Sequence, residues 1–262
     1  MKFGHFEQQG RQFYGSVEVD RVTELEGSPF DSFRVTARSH ALSELKLLLP
    51  CRPANFYCAG LNYAAHIEWA NRRTGGNRKP PEKADVGYRS PNALIASGEA
   101  IVIPADSPGP VQFEGELVAV IGKKARNMSE ADALGCVRGY TLGNDVSERS
   151  WQKTDRTLWR AKSADTFKPM GPRIVSGIDP QNQVIEVRVN GRTVSSYSTK
   201  GMIFSVARYI ARMSQYVTLW PDDIIWFGCD GPTEPALTDG DTVEVVNEAI
   251  GVLRNAVRRA KP

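Results

Sequence analysis

Apolar residues along this chain recur mostly at every second position, in short runs punctuated by Gly, Pro, Asn and Asp, a pattern that predicts strands joined by turns. The first 50 residues read as strands at Met1 to Phe6, Gln12 to Val19 and Arg21 to Glu24, then an apolar helix-or-strand segment, Leu42 to Leu49, closed by Pro50. From Ala54 the pattern becomes strand (Asn55 to Ala59), turn (Gly60 to Tyr63) and short helix (Ala64 to Arg72). Thr74 to Asp85 is rich in Gly, Pro, Lys and Arg and has no periodicity, so a mobile loop is expected. Further strands are predicted at Ala93 to Ala96, Ala100 to Ile103, Glu116 to Ile121, Cys136 to Leu142, Arg173 to Val175, Ile185 to Val189, Ile224 to Phe227 and Thr242 to Val246. Asn190-Gly191 marks a hairpin turn. Only two further helices are predicted, Ser129 to Leu134 behind a Ser-x-x-Asp cap and Met202 to Met213 with apolar residues at helical spacing. Helices this few cannot cover a parallel sheet. The expectation is a β-dominated α+β chain, with a small N-terminal β-rich domain over residues 1–53 and one catalytic body over residues 54–262.

Composition narrows the classes. With 41% hydrophobic and 24% charged residues in 262 positions, the chain can bury a large core without staples. A net charge of +3 without any run of five like charges argues against nucleic acid as a partner. Cys51, Cys58, Cys136 and Cys229 form no Cys-x-x-Cys pair, so neither a zinc site nor a redox dithiol is expected, and reduced thiols in a cytoplasm are the default. The polar N-terminus does not resemble a signal peptide, and no apolar run approaches the ~18 residues needed to span a bilayer, so no membrane partner is expected.

The chemistry concentrates in Phe113-Glu114-Gly115-Glu116-Leu117-Val118-Ala119-Val120. Strand side chains alternate, so Glu114, Glu116, Val118 and Val120 share a face that is charged at one end and apolar at the other. Two unpaired carboxylates entering a core would repel each other, and a hard divalent cation between them is the simplest remedy. Asp145, following the strand Cys136 to Leu142, is a third oxygen ligand in waiting. The competing reading of Glu-x-Glu is a solvated strand face.

Five ordered stretches carry a resemblance: Gly60-Leu61-Asn62-Tyr63-Ala64-Ala65-His66, Phe113-Glu114-Gly115-Glu116-Leu117, Gly139 to Ser147, Lys162-Ser163-Ala164-Asp165-Thr166-Phe167 and Pro169-Met170-Gly171-Pro172. In order and spacing, from Asn55 to Val257, the chain resembles the fumarylacetoacetate hydrolase family. That resemblance implies a mixed β-sandwich-roll body, a small N-terminal domain, a carboxylate-bound Mg2+ or Mn2+ and a homodimer. Several chemistries share this fold, so the reaction transfers less well than the metal site.

Position by position, the resemblance assigns metal binding to Glu114, Glu116 and Asp145, charge stabilisation to Lys162, and substrate binding to Arg149, Gln152, Tyr88 and Arg89. Three carboxylates without a ligating His or Cys favour Mg2+ or Mn2+ over Zn2+. Arg149 and Gln152 fall on one side of Asp145 if a helical turn begins at Asn144. Tyr88 and Arg89 flank the loop from Thr74 to Asp85, which has the length of a lid. His66 matches the family's general base, but the chain has Trp69 where the orienting Glu is expected, and the nearest acid is Glu68. On a regular helix a two-residue offset is about 200°, which points Glu68 away, so either the segment is irregular or the dyad is altered. Cys229 stands where the family has a hydrogen-bonding Thr, and is a weaker donor.

The implied reaction is metal-dependent hydrolysis of a C–C bond in an acylpyruvate-type 2,4-dioxo acid or di-acid, such as fumarylacetoacetate or fumarylpyruvate, in aromatic catabolism. The alternatives are decarboxylation or isomerisation of a 2-oxo or hydroxymuconate-like dioate, which needs no water nucleophile, and a catalytically inactive metal-binding relative.

Overall fold

A computed structural model describes residues 1–261. Four antiparallel strands, Lys2–Gln8, Arg11–Glu18, Arg21–Gly27 and Phe33–Ala41, form a meander at the N-terminus. Phe6, Phe13, Val17 and Val22 supply its buried face, packed by Leu42, Leu45 and Leu47. The Leu42-to-Leu49 segment resolves into a 3-10 turn, Leu42–Glu44, and a two-residue strand, Lys46–Leu47.

The meander does not stand apart from the rest of the sheet. Lys2–Gln8 pairs with Lys168–Val175, and the sheet continues through Val137–Asn144, Gly115–Ile121, Ile224–Trp226, Phe56–Ala59 and Val86–Tyr88. A second, five-stranded sheet orders Arg192–Ser198, Val184–Val189, Thr242–Asn247, Gly251–Arg259 and Ile101–Ile103. The two sheets approach closely at Gly115, where a Cβ would come within 2.5 Å of the Val187 side chain. This contact fixes the direction of the carboxylates: Gly115 faces the second sheet, so its neighbours Glu114 and Glu116 turn to the other side. Both faces of the Gly115–Ile121 strand are buried, with Leu117, Ala119 and Ile121 in one cluster and Val118 and Val120 in another.

Two α-helices are present among the described residues: α1 (Ala64–Thr74) and α2 (Val206–Ser214). Gly75 ends α1 at φ +67°, a left-handed conformation that glycine adopts without strain. The second helix begins later than expected because Ser205 caps it, its Oγ accepting from the Arg208 N–H at 3.1 Å, and Val206, Tyr209, Ile210 and Met213 form its buried stripe. The helix expected at Ser129 to Leu134 is instead a capped turn leading into a 3-10 turn, Ala133–Cys136; the following strand leaves too few residues to repay nucleation. Three short strands, Val86–Tyr88, Val111–Gln112 and Ser147–Glu148, and two long ones carried no expectation. Phe33–Ala41 is a sheet edge with no buried residue, and Gly251–Arg259 turns Asn255 inward, where its amide donates to Ala96 O (2.9 Å) and Glu99 O (2.8 Å). Among the described residues no helix is long and apolar enough to cross a membrane.

Candidate metal centre

Glu114 and Glu116 occupy the entry to the Gly115–Ile121 strand, and the antiparallel register sets Gly115 opposite Asn144 and Glu116 opposite Gly143. Asn144 closes the junction: its Oδ1 accepts from Glu114 N–H at 3.0 Å, while Asp145 N–H donates to Glu114 O at 2.8 Å. The chain at Asp145 is therefore tied to Glu114. One carboxylate oxygen from each of Glu114, Glu116 and Asp145 lies within 4.8 Å of the others, and all three residues are buried. No helical turn starts here, contrary to expectation: Ser147–Glu148 forms a short strand with Val111–Gln112, and only Trp151–Lys153 is a 3-10 turn.

Cations surround two of the three acids. Lys162 Nζ bridges Glu114 Oε2 (2.8 Å) and Asp145 Oδ2 (2.7 Å). Arg149 donates to Glu114 Oε1 (2.6 Å), Gln112 Oε1 (2.7 Å) and Gln152 Oε1 (2.8 Å), so each guanidinium nitrogen has an acceptor. Arg89 is likewise engaged, with Asp145 Oδ2 at 3.1 Å and the Tyr88 carbonyl at 3.0 Å. Lys168, which carried no expectation, lies wholly buried with Nζ 2.7 Å from Asp145 Oδ1, and also donates to the Val146 and Phe167 carbonyls. Burial pushes the Glu114 carboxyl up, but Lys162 and Arg149 outweigh it and hold it down to about 2. Against the same burial, Arg89, Lys162 and Lys168 hold Asp145 well below the usual carboxylate range.

Glu116 is different. Its carboxylate accepts from the Gly228 N–H at 2.7 Å and touches no cationic side chain among the described residues. Burial, reinforced by Asp145 and Glu114, pushes it up to about 8. Of the three hard oxygen donors that converge here, Glu116 alone has no cationic partner among the described residues, while Arg89, Arg149, Lys162 and Lys168 pair with the other two. That donor set fits a divalent Mg2+ or Mn2+.

These acids floor a pocket of about 280 Å³ walled by His66, Arg78, Arg149, Gln152, Lys162 and Cys229. His66 projects from α1 with Nδ1 3.9 Å from Cys229 Sγ, a contact 163 positions apart in sequence. Burial lowers the His66 pKa, so the imidazole is neutral at neutral pH. The Cys229 thiol is pushed well up by burial and by Glu114 and Glu116, which keeps it protonated despite the nearby His.

Two expected residues lie elsewhere. On the regular helix Glu68 points to solvent and pairs loosely with Arg72 at 3.9 Å, so it is not brought to His66. Tyr88 is 62% exposed and borders an adjoining open cavity with Trp159 and Arg160 rather than the carboxylate pocket. The segment after α1 is anchored at both ends, by Asn71 to Arg78 and by the Asp85 carbonyl, which accepts from Gly60 N–H at 3.0 Å.

Comparison with known proteins agrees with this geometry. The model of the fumarylacetoacetate hydrolase C-terminal domain matches residues 55–258, and an Rv2993c-like N-terminal model matches residues 1–50. The chain is 37% identical to protein Rv2993c of Mycobacterium tuberculosis over 243 residues, 91% of this chain and 89% of that protein. It is 35% identical over 230 residues to the mitochondrial oxaloacetate tautomerase Fahd2a of Rattus norvegicus, covering 82% of this chain and 70% of that one. The crystal structure of a 5-carboxymethyl-2-hydroxymuconate delta-isomerase from Mycobacterium smegmatis superposes with a TM-score of 0.89 at 33% identity, covering 99% of this chain and all of the other. The chain belongs to the fumarylacetoacetate hydrolase family.

Proposed function

We propose that this chain is a divalent-metal-dependent enzyme that moves a proton on a small 2-oxo acid, interconverting its enol and keto forms. The observation that carries the reading is the setting of His66. It is a neutral base facing the carboxylate pocket, its one side-chain hydrogen-bonding partner among the described residues is the Cys229 thiol, and the acid expected to support it is in solvent. Proton exchange with carbon needs such a base, whereas hydrolysis also needs a water activated for attack. Some relatives carry tautomerase or isomerase names, which is compatible with this reading, and others carry hydrolase names.

Glu114, Glu116 and Asp145 would hold a Mg2+ or Mn2+ ion, which when bound would supply Lewis acidity for a 2-oxo acid. His66 takes the proton from the carbon beside the keto group, the C–H electron pair becomes the C=C bond, and the former carbonyl pair moves onto oxygen. Lys162, bonded to Glu114 and Asp145, sets positive charge beside that oxygen as its negative charge grows. Return of the abstracted proton from the His66 imidazolium to that oxygen gives the enol and restores the neutral base, and ketonisation reverses each step. The buried pocket limits exchange with bulk water during the transfer.

The test follows loss of oxaloacetate enol absorbance with and without Mg2+ or Mn2+. The expected result is acceleration that EDTA abolishes and that His66→Ala lowers by ~10²-fold or more. Rapid release of pyruvate from an acylpyruvate, with no effect on enol decay, would replace this reading with hydrolysis.

A further inference from the structure

We propose that Arg78 recognises a second carboxylate on the substrate and so restricts the pocket to small dicarboxylic 2-oxo acids; this rests on the functional reading above. Four cationic residues line the carboxylate pocket: Arg78, Arg89, Arg149 and Lys162. Three of them are engaged by the protein's own acids. Arg89 holds Asp145, Arg149 holds Glu114, and Lys162 bridges both. Their charge answers that of the carboxylate cluster, and drawing any of them toward a ligand would cost a buried acid one of its cationic partners. Arg78 is the exception. It is exposed at the pocket rim, and among the described residues its guanidinium makes no hydrogen bond or ion pair. It is close enough to His66 for its charge to oppose protonation of that imidazole.

Its position is built rather than incidental. Gly75 turns the chain back at the end of α1, and the Asn71 side chain then grips both backbone groups of Arg78: Oδ1 accepts from its N–H and Nδ2 donates to its carbonyl, each at 2.9 Å. Asn71 lies on the same helix as His66, so the helix that carries the base also sets the rim arginine. A substrate held at one end by its 2-oxo carboxylate would turn its far end toward the pocket rim, where a planar guanidinium can take a carboxylate through two parallel hydrogen bonds.

The experiment compares two four-carbon probes, oxaloacetate and 2-oxobutyrate, which differ by the second carboxylate, using freshly prepared solutions and the Mg2+-loaded protein. Dissociation constants come from calorimetry and KM from enol–keto exchange, on wild type, Arg78→Ala, Arg78→Lys and Asn71→Ala. The expected result is a wild-type preference for oxaloacetate that Arg78→Ala erases by weakening oxaloacetate about tenfold or more while leaving 2-oxobutyrate within about twofold. Arg78→Lys should recover part of the loss, and Asn71→Ala should mimic it through KM rather than kcat. A wild type that favours oxaloacetate equally with and without Arg78 overturns the proposal while leaving the functional reading intact. A wild type without metal-dependent exchange removes both.

Discussion

Lys168 Nζ lies 2.7 Å from Asp145 Oδ1 with its side chain wholly buried, so a cation that no sequence motif announced forms the base of the carboxylate cluster. Burial pulls its pKa down to about 8, against the pull of Asp145. Lys168→Met would leave the Val146 and Phe167 carbonyls without this donor and Asp145 with only Arg89 and Lys162. The expected outcome is a loss of about 3 kcal/mol in the chelator-treated protein, measured by urea unfolding. The same substitution makes the cluster more negative, so Mg2+ should raise the melting temperature of the variant by more than it raises that of wild type. A smaller shift would mean that Lys168 assists cation binding rather than competing with it.

Glu116 is the acid without a cationic side chain beside it, and so the one whose charge a bound cation most directly relieves. Wild type should melt at a lower temperature after chelator treatment and recover with Mg2+ or Mn2+, because a ligand that binds only the folded state stabilises it. In Glu116→Gln the carbonyl oxygen can still accept from Gly228, so the fold should persist while the metal response and turnover disappear. An undiminished metal response in that variant would place the ion elsewhere.

His66 and Glu68 separate cleanly on one helix. His66 faces the pocket beside Cys229, while Glu68 is 70% exposed in its ion pair with Arg72. Glu68→Gln should leave enol–keto exchange within about twofold, since exposed pairs of this kind contribute little, whereas His66→Ala should lower it by ~10²-fold. Comparable losses in both variants would indicate that the acid reaches the imidazole during turnover.

What could be read in the sequence follows from how local each signal is. The Glu-x-Glu alternation gave a shared face for Glu114 and Glu116, and the tight contact of Gly115 with Val187 shows why a glycine separates them. Helix geometry pointed Glu68 away from His66 only if the segment was regular, which the sequence left open and the regular turn of α1 answers. The partnership of His66 with Cys229 could not be read, because parallel pairing of Phe56–Ala59 with Ile224–Trp226 brings together segments far apart in the chain. Phe33–Ala41 escaped notice because an edge strand with no buried side chain has no apolar alternation to display. Arg149 was expected beside the carboxylates by way of a helical turn; it arrives there from an irregular segment after the Ser147–Glu148 strand, with its guanidinium clamped on Glu114 rather than free for a ligand.

The N-terminal meander holds another buried acid, Glu24, whose ion pairs are separate from the metal centre. Glu24 is 1% exposed, with Arg11 bonded to both carboxylate oxygens, Arg38 Nε at 2.7 Å and His40 Nε2 at 2.7 Å. Hydrogen bonding from Arg11, followed by the contributions of His40 and Arg38, overcomes burial and holds the carboxyl at about 2. In the unfolded chain the same group titrates near 4.5. Because the folded value is the lower one, the stability this acid contributes is complete above about 4.5 and is lost as pH falls toward about 2. Glu24→Gln should therefore cost about 2 kcal/mol at pH 6, read as a lower urea midpoint. By pH 3 the gap between variant and wild type should narrow, since wild-type Glu24 must then hold its charge against bulk protons. A gap of the same size at both pH values would show that the charge of Glu24 contributes nothing, and that the glutamine merely packs less well among its arginines.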